Sequence, residues 1–375
     1  MEKRPVTSAV ALSLILSASA AAQDSTKPAS PTSTTATSPT PPTAPAAVPP
    51  RRLDGGDIVE QLREEASRVM PLVKCECIQR FLINTSWLPV VEPRTVYWDK
   101  GRSALTKEQY EALAEDKRVS YKALELDEEY YFYTRFGSPL AYARPLDIIA
   151  KSFGCKDMCL IKKKILDFGY GGIGHLRLLA NNGARVTGVE VDPILAALYS
   201  KPGDTGTIAG VGVSENKPPA GTLTLVTGQW PADAATVSKV GDGYDLIISK
   251  NVLKNGYIHP EKEVPKGMLI DLGVDDAAFL KAVANTLNPD GFFLIYNICP
   301  AQKPDKYIPW ADGRCPFTKE AIAAAGLEAL EYNVDDSGEA RLLGKALKWD
   351  EGDSPMDLTR DCFAWYTLIH KPVTK

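Results

Sequence analysis

The residues with the clearest chemical potential stand in one short stretch, Asp167-Phe168-Gly169-Tyr170-Gly171-Gly172-Ile173-Gly174, and Glu190 follows 21 residues after Gly169. Glycine permits positive backbone dihedrals and close approach of a ligand, and a helix that begins at the end of such a turn offers unpaired N–H groups. A carboxylate at the end of the next strand can accept hydrogen bonds from both hydroxyls of a ribose. Strand, turn, helix, strand and acid, in that order, point to a nucleoside ligand.

The glycines leave two nucleosides open. Gly169-x-Gly171-x-x-Gly174 satisfies the dinucleotide fingerprint, which keeps a nicotinamide-dependent oxidoreductase in contention. Asp167, directly before the turn, would repel a pyrophosphate and suits a cationic amino group. S-adenosylmethionine, whose methionine part carries an ammonium and a carboxylate, fits that charge better. The cofactor set read from this stretch is Asp167, Gly169, Gly171, Gly172, Gly174, Glu190 and Val191.

Methyl transfer asks mainly for alignment of the two partners, and a base helps where the acceptor carries a proton. Of the three histidines, His259 lies just beyond the fourth expected strand and is the base candidate, with Tyr257 and Asn251 to orient an acceptor and Lys250 to attract an acidic group. His175, at the start of the helix after the glycine turn, reads as a surface or neutral contact. A second polar turn supplies Trp310 as a wall, Asp312 as a hydrogen-bond acceptor and Arg314 as an anchor, unless it is a rigid crossover. Arg135 and Tyr142, in an aromatic segment broken by Pro139 and Pro145, are further substrate contacts or else belong to a packed junction. Neither an H-E-x-x-H nor a G-x-S-x-G arrangement occurs, so hydrolase chemistry is disfavoured and no metal is expected.

The elements that must position these residues alternate from Lys162 onward. Strands are expected over 164–168, 183–190, 222–226, 244–248 and 292–296, with a helix after the glycine turn and another capped by Asp275. Beyond Gly326, strands over 327–332 and 363–369 flank a helix over 339–347. This predicts a mainly parallel α/β sheet with helices on both faces and ligand chemistry beyond the carboxyl ends of its strands. Residues 54–150 read as a helical cap, with Asp57 and Thr106 as helix starts, the latter completed by Gln109.

From Ile161 to Ile369 the sequence resembles the class I S-adenosylmethionine-dependent methyltransferases. Asp167-x-Gly169-x-Gly171 resembles their first motif, Glu190-Val191-Asp192 their ribose-binding acid, Tyr244 to Leu253 their fourth-strand motif, and Leu287-Asn-Pro-Asp-Gly291 the turn into the fifth strand. The resemblance implies a Rossmann-like sheet of seven strands with the last antiparallel, methyl transfer as the activity, Ser249 near the cofactor, and Gln229 and Trp230 beside adenine. It departs at Ile173, where a third glycine is expected, and at Gln229, where an acid is expected.

Lys3 and Arg4 precede an apolar run over Ala9–Ala22 that is too short to span a bilayer and reads as a secretory signal peptide. Residues 23–52, with eight prolines between Pro28 and Pro50, form a disordered linker before the cap (53–150) and the cofactor domain (151–375). A secreted or periplasmic protein without a membrane anchor is expected. Cys75, Cys77, Cys155 and Cys159 superficially suggest a zinc set, but their spacings favour buried or disulfide cysteines. A net charge of −4, from 43 basic and 47 acidic residues, offers no sign of a nucleic-acid partner. The methyl acceptor and the oligomeric state are not legible.

Overall fold

A computed structural model describes residues 58–100, 103–134, 137–212 and 217–373. The expected signal peptide, the linker, the Asp57 cap and Arg135 lie outside the described residues. Among those described, no helix is long and apolar enough to cross a membrane.

Residues 58–150 are not wholly helical. Helices Ile58–Val69, Glu76–Ile83 and Ala143–Ala150 accompany a three-stranded antiparallel sheet of β1 (Arg94–Asp99), β2 (Ser103–Leu105) and β3 (Lys122–Leu126), in the order β2-β1-β3. The sheet escaped the sequence reading because its strands are short and only Val96 and Leu126 in them are buried, which leaves little alternation. Thr106 and Gln109 do form the expected reciprocal capping box.

The main sheet contains β4 (Lys164–Phe168), β5 (Arg185–Glu190), β6 (Gly206–Ile208), β7 (Gly221–Thr227), β8 (Tyr244–Lys250), β9 (Leu287–Cys299), β10 (Glu328–Asp335) and β11 (Phe363–His370). Their order is β10-β11-β9-β8-β4-β5-β7-β6. Strands β7, β5, β4, β8 and β9 are mutually parallel, and β11 runs antiparallel to both β9 and β10. The last strand is therefore antiparallel, as expected. The short edge strand β6 makes eight strands where seven were expected; it pairs antiparallel with β7.

From β4 the chain builds outward through β5 and β7, then returns to the other side of β4 for β8 and β9. That reversal between β4 and β8 is the topological switch point, where loops diverge and leave a crevice. Alternation along the strands splits the core. Ile165, Leu246, Ile248, Leu294 and Tyr296 face one layer, together with the helices of residues 58–150. Leu166, Ile247, Phe293 and Ile295 face the other, with helices Asp276–Thr286 and Lys319–Ala324. The N-terminal helices share a continuous core with the sheet rather than forming a detached cap.

Two disulfides fasten this layer, Cys75–Cys155 and Cys77–Cys159, so the four cysteines of the zinc alternative are all engaged. They join the start of helix Glu76–Ile83 to the loop that leads into β4. Bidentate contacts from Arg94 to Asp204 and from Arg144 to Asp336 tie the same layer to the sheet domain.

Candidate cofactor site

At the carboxyl end of β4 the Gly169 N–H donates to the Val189 carbonyl, which carries the β4–β5 pairing into the first residue of the glycine turn. Gly169 and Gly171 have φ of 76° and 60°, so their positive dihedrals are used as the sequence predicts. Glu190 ends β5, and its Oε1 accepts from the Val191 N–H at 2.7 Å while its carboxylate also faces the Gly171 N–H. Burial raises its pKa to about 6, partly offset by those backbone donors. Phe168, Gly169, Gly171, Glu190, Asn251 and Val252 are each partly exposed around the crevice expected at the ends of β4, β5 and β8. Val191, 49% exposed, stands at its rim.

The other end of the turn is closed. Asp167 and His175 are fully buried, with His175 Nε2 2.5 Å from Asp167 Oδ2. The His175 ring lies parallel to Tyr142, 3.6 Å between centroids. Burial lowers the pKa of His175, so the neutral ring donates through Nε2 and leaves Nδ1 as an acceptor. This corrects the surface reading of His175. Asp167 Oδ1 and His175 Nδ1 have no hydrogen-bond partner. Lys250, at the end of β8, brings its ammonium 5.2 Å from the Tyr142 centroid. Desolvation first, then repulsion from Lys254, lowers its pKa to about 8.

The Cα faces of Gly172 and Gly174 are packed against protein backbone. A Cβ on Gly172 would lie 2.6 Å from the Tyr133 carbonyl oxygen, and one on Gly174 would lie 2.3 Å from that of Phe132. Gly169 is approached by the Val252 side chain, whose Cγ2 sits 2.4 Å from the Cβ position. Val252 was not singled out in the sequence, and neither was Tyr170, which packs on the bare face of Gly188 in β5.

Other candidates fall elsewhere. Trp230 is buried between Phe168 and Phe279, at centroid distances of 5.8 and 5.6 Å, as a core plug would be. Gln229 donates to the Asp271 carbonyl at 3.0 Å. Ser249 is buried on the sheet face opposite Asp167, and its hydroxyl has no partner. Asn251 brackets the strand ends: its N–H donates to the Tyr296 carbonyl and its Oδ1 accepts from the Ile298 N–H.

The proposed proton acceptor is engaged outside the crevice. His259 is exposed, and its Nε2 lies 2.9 Å from Asp276 Oδ2 at the start of helix Asp276–Thr286. Tyr257 is buried beside Lys254, and burial pushes its phenol well up. Lys254 donates to the carbonyls of Ile298 and Trp310. Arg314 forks onto Asp312, which also accepts from Asn255, and reaches Glu261. The turn holding Trp310, Asp312 and Arg314 is thus satisfied by its neighbours, as a rigid crossover would be.

The residues present fit an adenosyl amino acid. Glu190 beside Gly171 matches a ribose diol, and the unpartnered Asp167 Oδ1 is a buried acceptor suited to an ammonium. Strand order, the antiparallel last strand and the position of the glycine turn give the Rossmann-like α/β fold that the sequence resemblance implies.

No protein-family model and no curated protein matches the chain. Among solved structures it is similar to the [4+2]-cyclase SpnF at 15% identity, covering 84% of this chain and 97% of that one with a TM-score of 0.36. It is also similar to the StiE O-MT, residues 961–1257, at 14% identity, covering 63% and 76% with a TM-score of 0.36. A third is the CurJ carbon methyltransferase, at 13% identity, 57% and 50% coverage and a TM-score of 0.30.

Proposed function

We propose that the chain binds S-adenosylmethionine and transfers its methyl group to a small-molecule or protein acceptor. The observation that carries this reading is the Glu190 carboxylate facing Gly171 at the end of β5, on the strand next to the buried Asp167 of β4. When bound, the cofactor supplies an electrophilic sulfonium methyl. Glu190 accepts from the ribose hydroxyls, Asp167 accepts from the ammonium, and His175 holds Asp167 in place through its Nε2–H. Phe132, Tyr133, Pro139 and Tyr142, lying on Gly172, Gly174 and His175, exclude water from that end of the crevice.

Nothing in this arrangement requires a protein nucleophile, since alignment of the acceptor supplies much of the rate gain. The expected leader and the two disulfides suit an oxidising compartment, so export belongs to the same proposal; N-terminal sequencing of the mature protein after fractionation tests it.

Calorimetric titration with S-adenosylmethionine, S-adenosylhomocysteine and NAD tests the cofactor, and transfer of an isotopically labelled methyl group across an acceptor panel tests the activity. Binding of either adenosyl amino acid but not NAD is expected. Binding of NAD alone would establish the oxidoreductase reading instead, and cofactor affinity without transfer would favour a non-catalytic binding module.

A further inference from the structure

Glu65, on helix Ile58–Val69, is only 4% exposed. Its Oε1 accepts from the Tyr133 hydroxyl at 2.8 Å and from Gln61 Nε2 at 3.5 Å, and its Oε2 accepts from the Ser138 hydroxyl at 2.5 Å. Gln61 Nε2 also donates to the Tyr133 hydroxyl at 2.9 Å. Burial pushes the Glu65 carboxyl above its usual range, opposed by the donors Ser138, Tyr133 and Gln61 and by Arg68. A desolvated carboxylate is a poor source of stability, because an apolar side chain of similar volume often serves as well. What it supplies is direction, since both hydroxyls are held at fixed places on one planar group.

The residues so held are the ones that lie on the glycine turn. The Tyr133 carbonyl oxygen is 2.6 Å from the Cβ position of Gly172, and the Phe132 carbonyl oxygen before it is 2.3 Å from that of Gly174. Ser138 is followed by Pro139, whose Cβ is 2.9 Å from the same Gly174 position, and it caps the short helix Pro139–Tyr142 by accepting from the Leu140 N–H at 3.1 Å. Thr134 and Gly137 exchange backbone hydrogen bonds of 3.0 Å, so the two arms are also joined to each other. The Thr134 Cβ stands 3.7 Å from the Cβ position of Gly171, whose N–H faces the Glu190 carboxylate. Contacts this close leave no slack, so a displacement of either arm is felt at the turn.

We propose that Glu65 is a positioning residue for the nucleoside site, holding Tyr133 and Ser138 so that the backbone beside them seats on Gly171, Gly172 and Gly174. This rests on the cofactor reading above and adds to it a residue that acts through the two hydroxyls it fixes. Without the carboxylate, those hydroxyls turn to other partners and the two arms leave their seat in a share of the molecules. Only the remainder presents the ligand-binding turn, and the apparent affinity falls by that fraction.

The test is calorimetric titration of the full chain with S-adenosylhomocysteine, as wild type, Glu65→Gln, Glu65→Leu, Tyr133→Phe and the double variant Glu65→Leu/Tyr133→Phe. A hydrogen bond to a charged group corresponds to roughly a 10- to 150-fold change in an equilibrium, so Glu65→Leu is expected to weaken binding roughly tenfold or more. Glu65→Gln keeps the shape and an oxygen acceptor, and its amide can donate to the Ser138 hydroxyl, so it should stay within about threefold of the wild type. Tyr133→Phe should weaken binding by roughly three- to tenfold on its own and by nothing further beside Glu65→Leu, where its partner is already gone. A carboxylate that only supports the fold shifts the urea midpoint of these variants and leaves the affinity of the folded protein unchanged. That result overturns the proposal and leaves the cofactor reading standing, as does an equal cost of Tyr133→Phe in both backgrounds. Where Glu65→Leu does not fold, Tyr133→Phe decides alone, and an unchanged affinity in it overturns the proposal. A wild type that does not bind S-adenosylhomocysteine overturns the cofactor reading and this inference with it.

Discussion

Replacing Glu190 by Gln should make the protein more stable and a poorer binder at once. Burial raises the Glu190 pKa from 4.5 to about 6, so the folded chain holds a proton that the unfolded chain has already released. Stability attributable to this group is therefore full below pH 4.5, falls as pH rises toward 6, and is absent above it. The difference corresponds to about 2 kcal/mol at neutral pH. Gln keeps an oxygen to accept from Val191 and Gly171 but carries no charge to desolvate. Urea denaturation at pH 7.5 should show Glu190→Gln gaining up to about 2 kcal/mol, and the gain should shrink to nothing near pH 4.5. Calorimetry on the same samples should show nucleoside affinity falling by roughly 10- to 150-fold, because a charge-assisted acceptor is lost. In the wild type, affinity should drop roughly tenfold between pH 7.5 and pH 5, as the carboxylate takes up its proton. A destabilised Glu190→Gln, or one that binds the nucleoside as tightly as the wild type, would refute the placement of a desolvated carboxylate at the ribose position.

Other expectations follow from the packing. The two disulfides close nearly the same loop, with separations of 80 and 82 residues, so removing one leaves the loop shut by the other. Chemical denaturation should show that either pair of serine substitutions costs far less than half of the roughly 4 kcal/mol lost when both bridges are removed. Trp230→Ala should cost about 3–5 kcal/mol as a core truncation, while Trp230→Phe should leave nucleoside affinity unchanged; a selective loss of affinity in the Phe variant would restore the adenine wall. His175→Phe strips Asp167 of its donor and should destabilise by at least about 2 kcal/mol, with added Asp167→Asn recovering part of the loss in a double-mutant cycle.

The sheet was legible because its strands are short apolar runs between helices, and the Asp167 to Glu190 stretch was legible because it is contiguous. The three-stranded sheet of β1 to β3 was not, since its strands carry almost no buried alternation. Acceptor residues were chosen by residue type on loops after β8 and β9, where polar side chains satisfy each other as readily as a ligand. Asp312 with Arg314, and His259 with Asp276, did so. Pairing of that kind joins positions distant in sequence and leaves no local periodicity.

The same limit explains why the burial of His175 and Lys250 was not legible although each was noticed. Eight residues separate His175 from Asp167, and 83 separate Lys250 from Asp167, yet β4–β8 pairing and the first turn of helix Gly174–Asn181 bring all three to Tyr142. In sequence, a histidine at a helix start and a lysine at a strand end each look like solvated groups. Only the layer of helices from residues 58–150 removes water from them, and that layer converts a motif acid, a ring and an ammonium into one coupled cluster. The N-terminal region thus reaches the glycine turn: Tyr142, near the start of helix Ala143–Ala150, is hydrogen-bonded to Asp167 and stacked on His175. Tyr142 is the one member of this cluster that precedes β4, and its stacked ring is what closes His175 and Asp167 from solvent.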